Sequence, residues 1–187
     1  MMKLKTILFS LLLLPLQYLL AQNQQPFYNE IRNFGKQDSI RMPETESILF
    51  AGSSSFRMWK GLKDSFPAYQ VINRGFGGST LPDLIRYHEE TILKYKPAQV
   101  IIYCGENDIA SSDTVTPELV LERFSDLFSI IRKRYPGVQV SFVSIKPSPS
   151  RWHMKERMIS ANKLIRDFLE QQRNTSYIHV WDDMLNA

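Results

Sequence analysis

Val100, Ile101, Ile102, Tyr103 and Cys104 stand in an unbroken row after Gln99. A strand with one wet face alternates apolar and polar residues, so a run this continuous belongs to a strand covered on both faces, as in a parallel sheet between helix layers. Four further runs rich in β-branched or aromatic residues, Ser47–Ala51, Gln70–Asn73, Val138–Ser144 and Tyr177–Trp181, are predicted strands. Helical spacing fills the gaps between them. Leu119, Val120, Phe124, Leu127, Phe128 and Ile131 recur at three and four residues, as do Met154, Met158, Ile165, Phe168 and Leu169, so each set can face one sheet. The alternation predicts an α/β fold, a three-layer α/β/α sandwich around a five-stranded parallel sheet. In a flavodoxin-like order, with the first strand between the second and third, the loops at their carboxyl ends converge on one crevice.

A chain of 187 residues with 43% hydrophobic content suits one globular domain, expected over residues 47–187 behind a polar lead-in at 22–46 that holds one helix around Asn29–Phe34. Residues 1–21 read as a signal peptide: Lys3 and Lys5, an apolar stretch from Ile7 to Leu20, then the small Ala21. The stretch is short for a membrane span and contains Pro15 and Gln17, so an exported protein, periplasmic or secreted, with no stable membrane anchor after cleavage is expected. Loss of Lys3 and Lys5 lowers the net charge from +4 to +2, too mild for a nucleic-acid partner. The basic triplet Arg132, Lys133 and Arg134 ends a predicted helix, where cations complement the carbonyl end of the dipole. Cys104 is the single cysteine, which excludes an intrachain disulfide and a multi-thiolate metal site and fits a buried core thiol. No metal and no cofactor are expected.

The predicted strand ends deliver GSSS (52–55), RGFGGST (74–80), GENDI (105–109) and KPSPSRWH (146–153) to one rim. The nucleophile elbow G-x-S-x-G fails because Phe56 stands where its second glycine belongs. The dinucleotide fingerprint fails as well, since Gly75 and Gly77 are followed by Thr80 and the loop follows the second strand. Ester hydrolysis makes a different demand: a nucleophilic hydroxyl, and neutral donors aimed at the oxyanion formed on attack. Serine, glycine and asparagine on three adjacent loops meet it.

In these blocks the chain resembles the SGNH (GDSL-type) hydrolases, in the branch similar to platelet-activating-factor acetylhydrolase and lysophospholipase-like esterases. ILFAGSSSFRMW resembles the first block with Ser53 where Asp is usual, which implies Ser54 as nucleophile. VINRGFGGST resembles the second and implies Gly78; YCGENDI resembles the third and implies Asn107. The resemblance implies a serine esterase that removes short acyl groups from lipid or carbohydrate through an acyl-enzyme, with no cofactor. Plainer roles stand beside these: a helix cap for Ser54, a turn for Gly78, a loop bridge for Asn107, and a local cap for Asp108. Met58 and Trp59 are expected in the core. Arg151 and Trp152 suit equally a wall of the site or a proline-stiffened loop.

The resemblance stops at the general base. Family members carry a late D-x-x-H block, whereas none of His88, His153 and His179 has an Asp three residues before it. His88 is expected on a helix, His179 within the last strand, and Asp182 and Asp183 in a loop. The expected explanation is a domain truncated at its C-terminus, just before that block. A non-catalytic lipid- or carbohydrate-binding module, and an O-acyltransferase using the same acyl-enzyme, are the alternatives.

Overall fold

Five strands, β1 (Ile48–Gly52), β2 (Val71–Gly75), β3 (Gln99–Tyr103), β4 (Gln139–Val143) and β5 (Thr175–Ile178), form one sheet in the order β2-β1-β3-β4-β5. Every pairing is parallel, and the register sets Gly52 beside both Gly75 and Tyr103. The computed structural model describes residues 25–186. The expected α/β/α sandwich in flavodoxin-like order is what forms; the signal peptide expected at residues 1–21 lies outside the described residues.

The two faces of the sheet are covered unequally. Leu49, Ala51, Val100, Ile102, Val140 and Phe142 point into the larger core. It is completed by α4 (Leu81–Arg86), α7 (Pro117–Arg134) and α8 (Lys155–Glu170). The opposite face sets Phe50, Ile101 and Tyr103 against Phe56 and Leu62, from α2 (Ser54–Met58) and α3 (Leu62–Ser65). Each fully buried Leu, Ile or Phe side chain contributes roughly 1.5–3 kcal/mol, so the larger core supplies most of the stability. Helix α7 begins at Thr116, whose side chain accepts from the Leu119 N–H, with Pro117 in the first turn. At its other end Arg132 donates to the carbonyls of Pro136, Val138 and Arg173, a local structural use of the basic triplet.

Several boundaries differ from expectation. The lead-in helix, predicted near Asn29–Phe34, is α1 and runs Tyr28–Ile40, lengthened by a buried anchor. Asp38 accepts from Arg74 and from Tyr95 (2.6 Å) and pairs with Lys94, while the Arg74 guanidinium lies over the rings of Phe34 and Tyr95 at 5.0 and 4.7 Å. Burial opposes ionisation of Asp38, but the bonds from Lys94 and Tyr95 and the Arg74 charge outweigh it and hold its carboxyl below the usual range. The last strand, expected at Tyr177–Trp181, is Thr175–Ile178, and Trp181 instead opens α9 (Trp181–Leu185) and is buried there. Met58 and Trp59, expected in the core, are 65% and 40% exposed because α2 ends after one turn. Trp59 still packs edge-on against Phe50, with centroids 6.2 Å apart.

Candidate active site

At the end of β1 the backbone passes so close to β3 that a Cβ on Gly52 would lie 2.0 Å from the Tyr103 carbonyl oxygen. Glycine is required there by space. The Ser53 N–H donates to that same carbonyl at 3.0 Å, and the Ser53 carbonyl then accepts from the Phe56 and Arg57 N–H groups as α2 begins. The Ser53 side chain is buried and caps nothing; Ser54, the first residue of the helix, is half-buried. The loop after β2 is laced to the same point, since Phe76 N–H (2.9 Å) and Ser79 Oγ–H (3.2 Å) both donate to the Gly52 carbonyl. Gly78 is exposed on that loop with φ 84°, a left-handed conformation that favours glycine although nothing crowds its Cβ position.

Asn107, in the first turn of α6 (Glu106–Ser111), joins these loops. Its Nδ2 donates to Ser53 Oγ at 2.6 Å and to the Ser79 carbonyl at 3.0 Å, while its Oδ1 accepts from Arg151 Nη1 at 3.0 Å. One amide therefore touches the immediate neighbours of Ser54 and of Gly78, which brings the three loops carrying the expected site residues to one place. Both Asn107 N–H bonds already have acceptors within the protein. Among the described residues, the Ser54 and Gly78 N–H groups have no hydrogen-bond partner.

The acids beside Asn107 serve as ties between loops. Glu106, buried, accepts from the Tyr103 hydroxyl at 2.7 Å and pairs with Arg151 at 3.1 Å and Lys146 at 3.7 Å. Burial first, and then the Glu106 carboxylate, push the Tyr103 phenol far above its ordinary value. Asp108, fully buried, accepts the Leu81 N–H at 3.0 Å, which caps α4, and the Arg123 guanidinium at 2.8 Å. Burial pushes its carboxyl up, and those donors only partly offset the rise.

None of the histidines is hydrogen-bonded to Ser54 among the described residues. His88 Nδ1–H donates to the Ile85 carbonyl at 2.6 Å, and His153 is exposed in the 3-10 turn Pro149–Met154. His179, expected inside the last strand, lies just past it and pairs with Asp182 at 2.9 Å. It is on the carboxyl rim, but β5 stands three places from β1, roughly 14 Å at the usual strand spacing. Asp182 and Asp183 lie in α9, not in a loop.

Next to Ser55 an apolar cavity of about 450 Å³ is lined by Phe56, Trp59, Tyr103, Val143, Val180 and Met184. Sequence reasoning missed Ser53, Ser79 and Glu106 as the partners that orient Asn107 and Arg151. Each contact joins residues far apart in the chain, and the available signal was only that Ser53, Ser79 and Glu106 lie inside GSSS, RGFGGST and GENDI.

The model of the GDSL-like lipase/acylhydrolase family matches residues 44–187. No curated protein matches the chain. Among solved structures, a Streptococcus pneumonia protein described as a platelet activating factor is 17% identical with a TM-score of 0.70, over 92% of this chain and 82% of that one. A GDSL-like lipase from Bacteroides thetaiotaomicron is 18% identical with a TM-score of 0.70, over 82% and 79%. An acetyl-xylooligosaccharide esterase mutant from Geobacillus is 16% identical with a TM-score of 0.60, over 77% and 82%.

Proposed function

Because the chain belongs to the GDSL-like lipase/acylhydrolase family, of the SGNH type, we propose that it is a serine esterase in which Ser54 is the nucleophile. Membership of this family supports ester hydrolysis in general; the roles below are the finer reading. Ser54 Oγ attacks the ester carbonyl carbon as its hydroxyl proton passes to solvent, and the electron pair of the C=O bond moves onto oxygen. The Ser54 and Gly78 N–H groups, free of other partners among the described residues, donate to that oxyanion. Asn107 adds a third donor by sharing the N–H now given to Ser53 Oγ, because an anionic oxygen is a stronger acceptor than a neutral hydroxyl. Collapse breaks the bond to the alkoxide, which takes a proton from solvent as it leaves; water then attacks the acyl-Ser54 ester, the bond to Ser54 Oγ breaks, and one proton of that water restores the hydroxyl while the acid is released.

The observation that carries this reading is the Asn107 amide bonded at once to Ser53 and Ser79. Short acyl groups on lipid or carbohydrate are the substrates proposed, in line with the Geobacillus neighbour, whose name specifies an acetyl-xylooligosaccharide. The apolar cavity beside Ser55 offers room for the apolar part of such an ester. The leader-like residues 1–21 support export of the protein, with a soluble ester or a glycan or lipid surface as its partner.

With no histidine touching Ser54 among the described residues, donors and binding alone support turnover, and a rate well below that of a complete triad is expected. That same observation favours a second reading, a non-catalytic module that binds acylated lipid or carbohydrate. Hydrolysis of p-nitrophenyl acetate by the chain and by Ser54→Ala separates the two. A rate above background that disappears in the variant supports the esterase, and equal rates overturn it.

A further inference from the structure

We propose that Arg151 is a positioning residue that fixes which end of the Asn107 amide faces the candidate nucleophile. This rests on the reading of Asn107 as an oxyanion donor. A primary amide can turn over and exchange its oxygen for its NH2, and only one of the two orientations presents N–H to the site. On the NH2 side the Ser79 carbonyl at 3.0 Å accepts, but Ser53 Oγ is a hydroxyl that can donate as well as accept, so it does not discriminate. On the other side Arg151 Nη1 lies 3.0 Å from Oδ1 and has protons only to give. A turned amide would set its NH2 against the guanidinium and its oxygen against the Ser79 carbonyl.

The guanidinium is itself held in place. Its Nη1 also lies 3.1 Å from Glu106 Oε1, and Glu106 is fixed in turn by the Tyr103 hydroxyl at 2.7 Å. Arg151 N–H donates to the Ser148 carbonyl at 3.0 Å, and the loop is stiffened by Pro147 and Pro149. Glu106 neutralises the arginine locally, so its effect on the site is directional and runs through Asn107. A cation on Oδ1 also polarises the amide and strengthens both N–H donors.

The test compares wild type with Arg151→Met, Arg151→Lys and Arg166→Met, the last removing an exposed charge elsewhere. One readout is the pair of Asn107 side-chain amide resonances, assigned by their loss in Asn107→Asp. The other is the rate at which an alkyl fluorophosphonate labels the chain, scored by mass: the Ser54 Oγ–P bond forms, P–F breaks, fluoride leaves, and the hydroxyl proton goes to solvent. Arg151→Met is expected to shift the Asn107 resonances and slow labelling about 10- to 100-fold, less than the roughly 100- to 1,000-fold cost of removing an oxyanion donor outright, because Asn107 itself remains. Arg151→Lys restores part of both, and Arg166→Met changes neither. Resonances and labelling both unmoved in Arg151→Met, at an unchanged or lowered unfolding midpoint, overturn the proposal. A wild-type chain that takes no label at Ser54 refutes the nucleophile reading instead, and the resonances alone then decide: moved, they sustain the role of Arg151; unmoved, they overturn it.

Discussion

Replacing Asn162 with alanine should unfold the molecule far more readily than its place on a helix facing the sheet suggests. The Asn162 side chain acts as a second peptide group: its Oδ1 accepts the Ile145 N–H at 2.8 Å and its Nδ2 donates to the Ile145 carbonyl at 2.9 Å. Asn162 is 6% exposed and Ile145 is fully buried. Alanine leaves two buried backbone groups unpaired, each at about 1–3 kcal/mol, so a loss of about 2–6 kcal/mol is expected. Set against a total of about 5–15 kcal/mol for a domain, that is a large share. Equilibrium urea unfolding measures it, with the midpoint expected to fall at constant slope. Asn162→Asp sharpens the test. Its protonated carboxyl can accept and donate as the amide does, whereas the ionised form repels the Ile145 carbonyl, so the native pKa is raised above the unfolded value. The stability it retains is then fully present below about pH 4 and is lost as pH rises through that raised value. A loss under about 1 kcal/mol in Asn162→Ala, or an Asp variant indifferent to pH, would refute the reasoning by showing that water replaces the clamp.

Gly52→Ala forces a Cβ to within 2.0 Å of the Tyr103 carbonyl oxygen, so β1 and β3 must part at the site. A loss of about 1–3 kcal/mol or more is expected in thermal unfolding, together with loss of Ser54 labelling. Asp38→Ala strips the partner from the buried Arg74 and should cost about 3–5 kcal/mol by urea titration. Because the native Asp38 carboxyl lies below its unfolded value, its contribution is present above about pH 4 and lost as pH falls through the depressed value, so wild type and Asp38→Asn should converge in strong acid.

The central strands were legible because burial on both faces leaves a run such as Val100–Cys104 with no alternation to misread. The edge was not. In β5 only every second residue is covered, so the apolar residues through Trp181 read as strand although Trp181 is buried by a helical turn. Met58 and Trp59 failed for a related reason: their hydrophobicity signals burial, but a one-turn helix cannot direct both inward. At the site, Ser54, Gly78 and Asn107 came from family resemblance, and the parallel register then accounts for their loops meeting. The bonds from Asn107 to Ser53 and Arg151 span 54 and 44 residues, a range over which sequence spacing carries no geometric information.

The hydroxyl at position 53 has one more implication. Where the family resemblance leads one to expect a carboxylate beside Ser54, the proposed nucleophile, this chain has a group that does not ionise across the working range of proteins. The tie between the first and third loops therefore keeps its strength from mildly acidic to alkaline solution. The Asn107 N–H that Ser53 accepts is gripped by a neutral atom, so under the proposed esterase reading an incoming anion claims it without displacing a fixed negative charge.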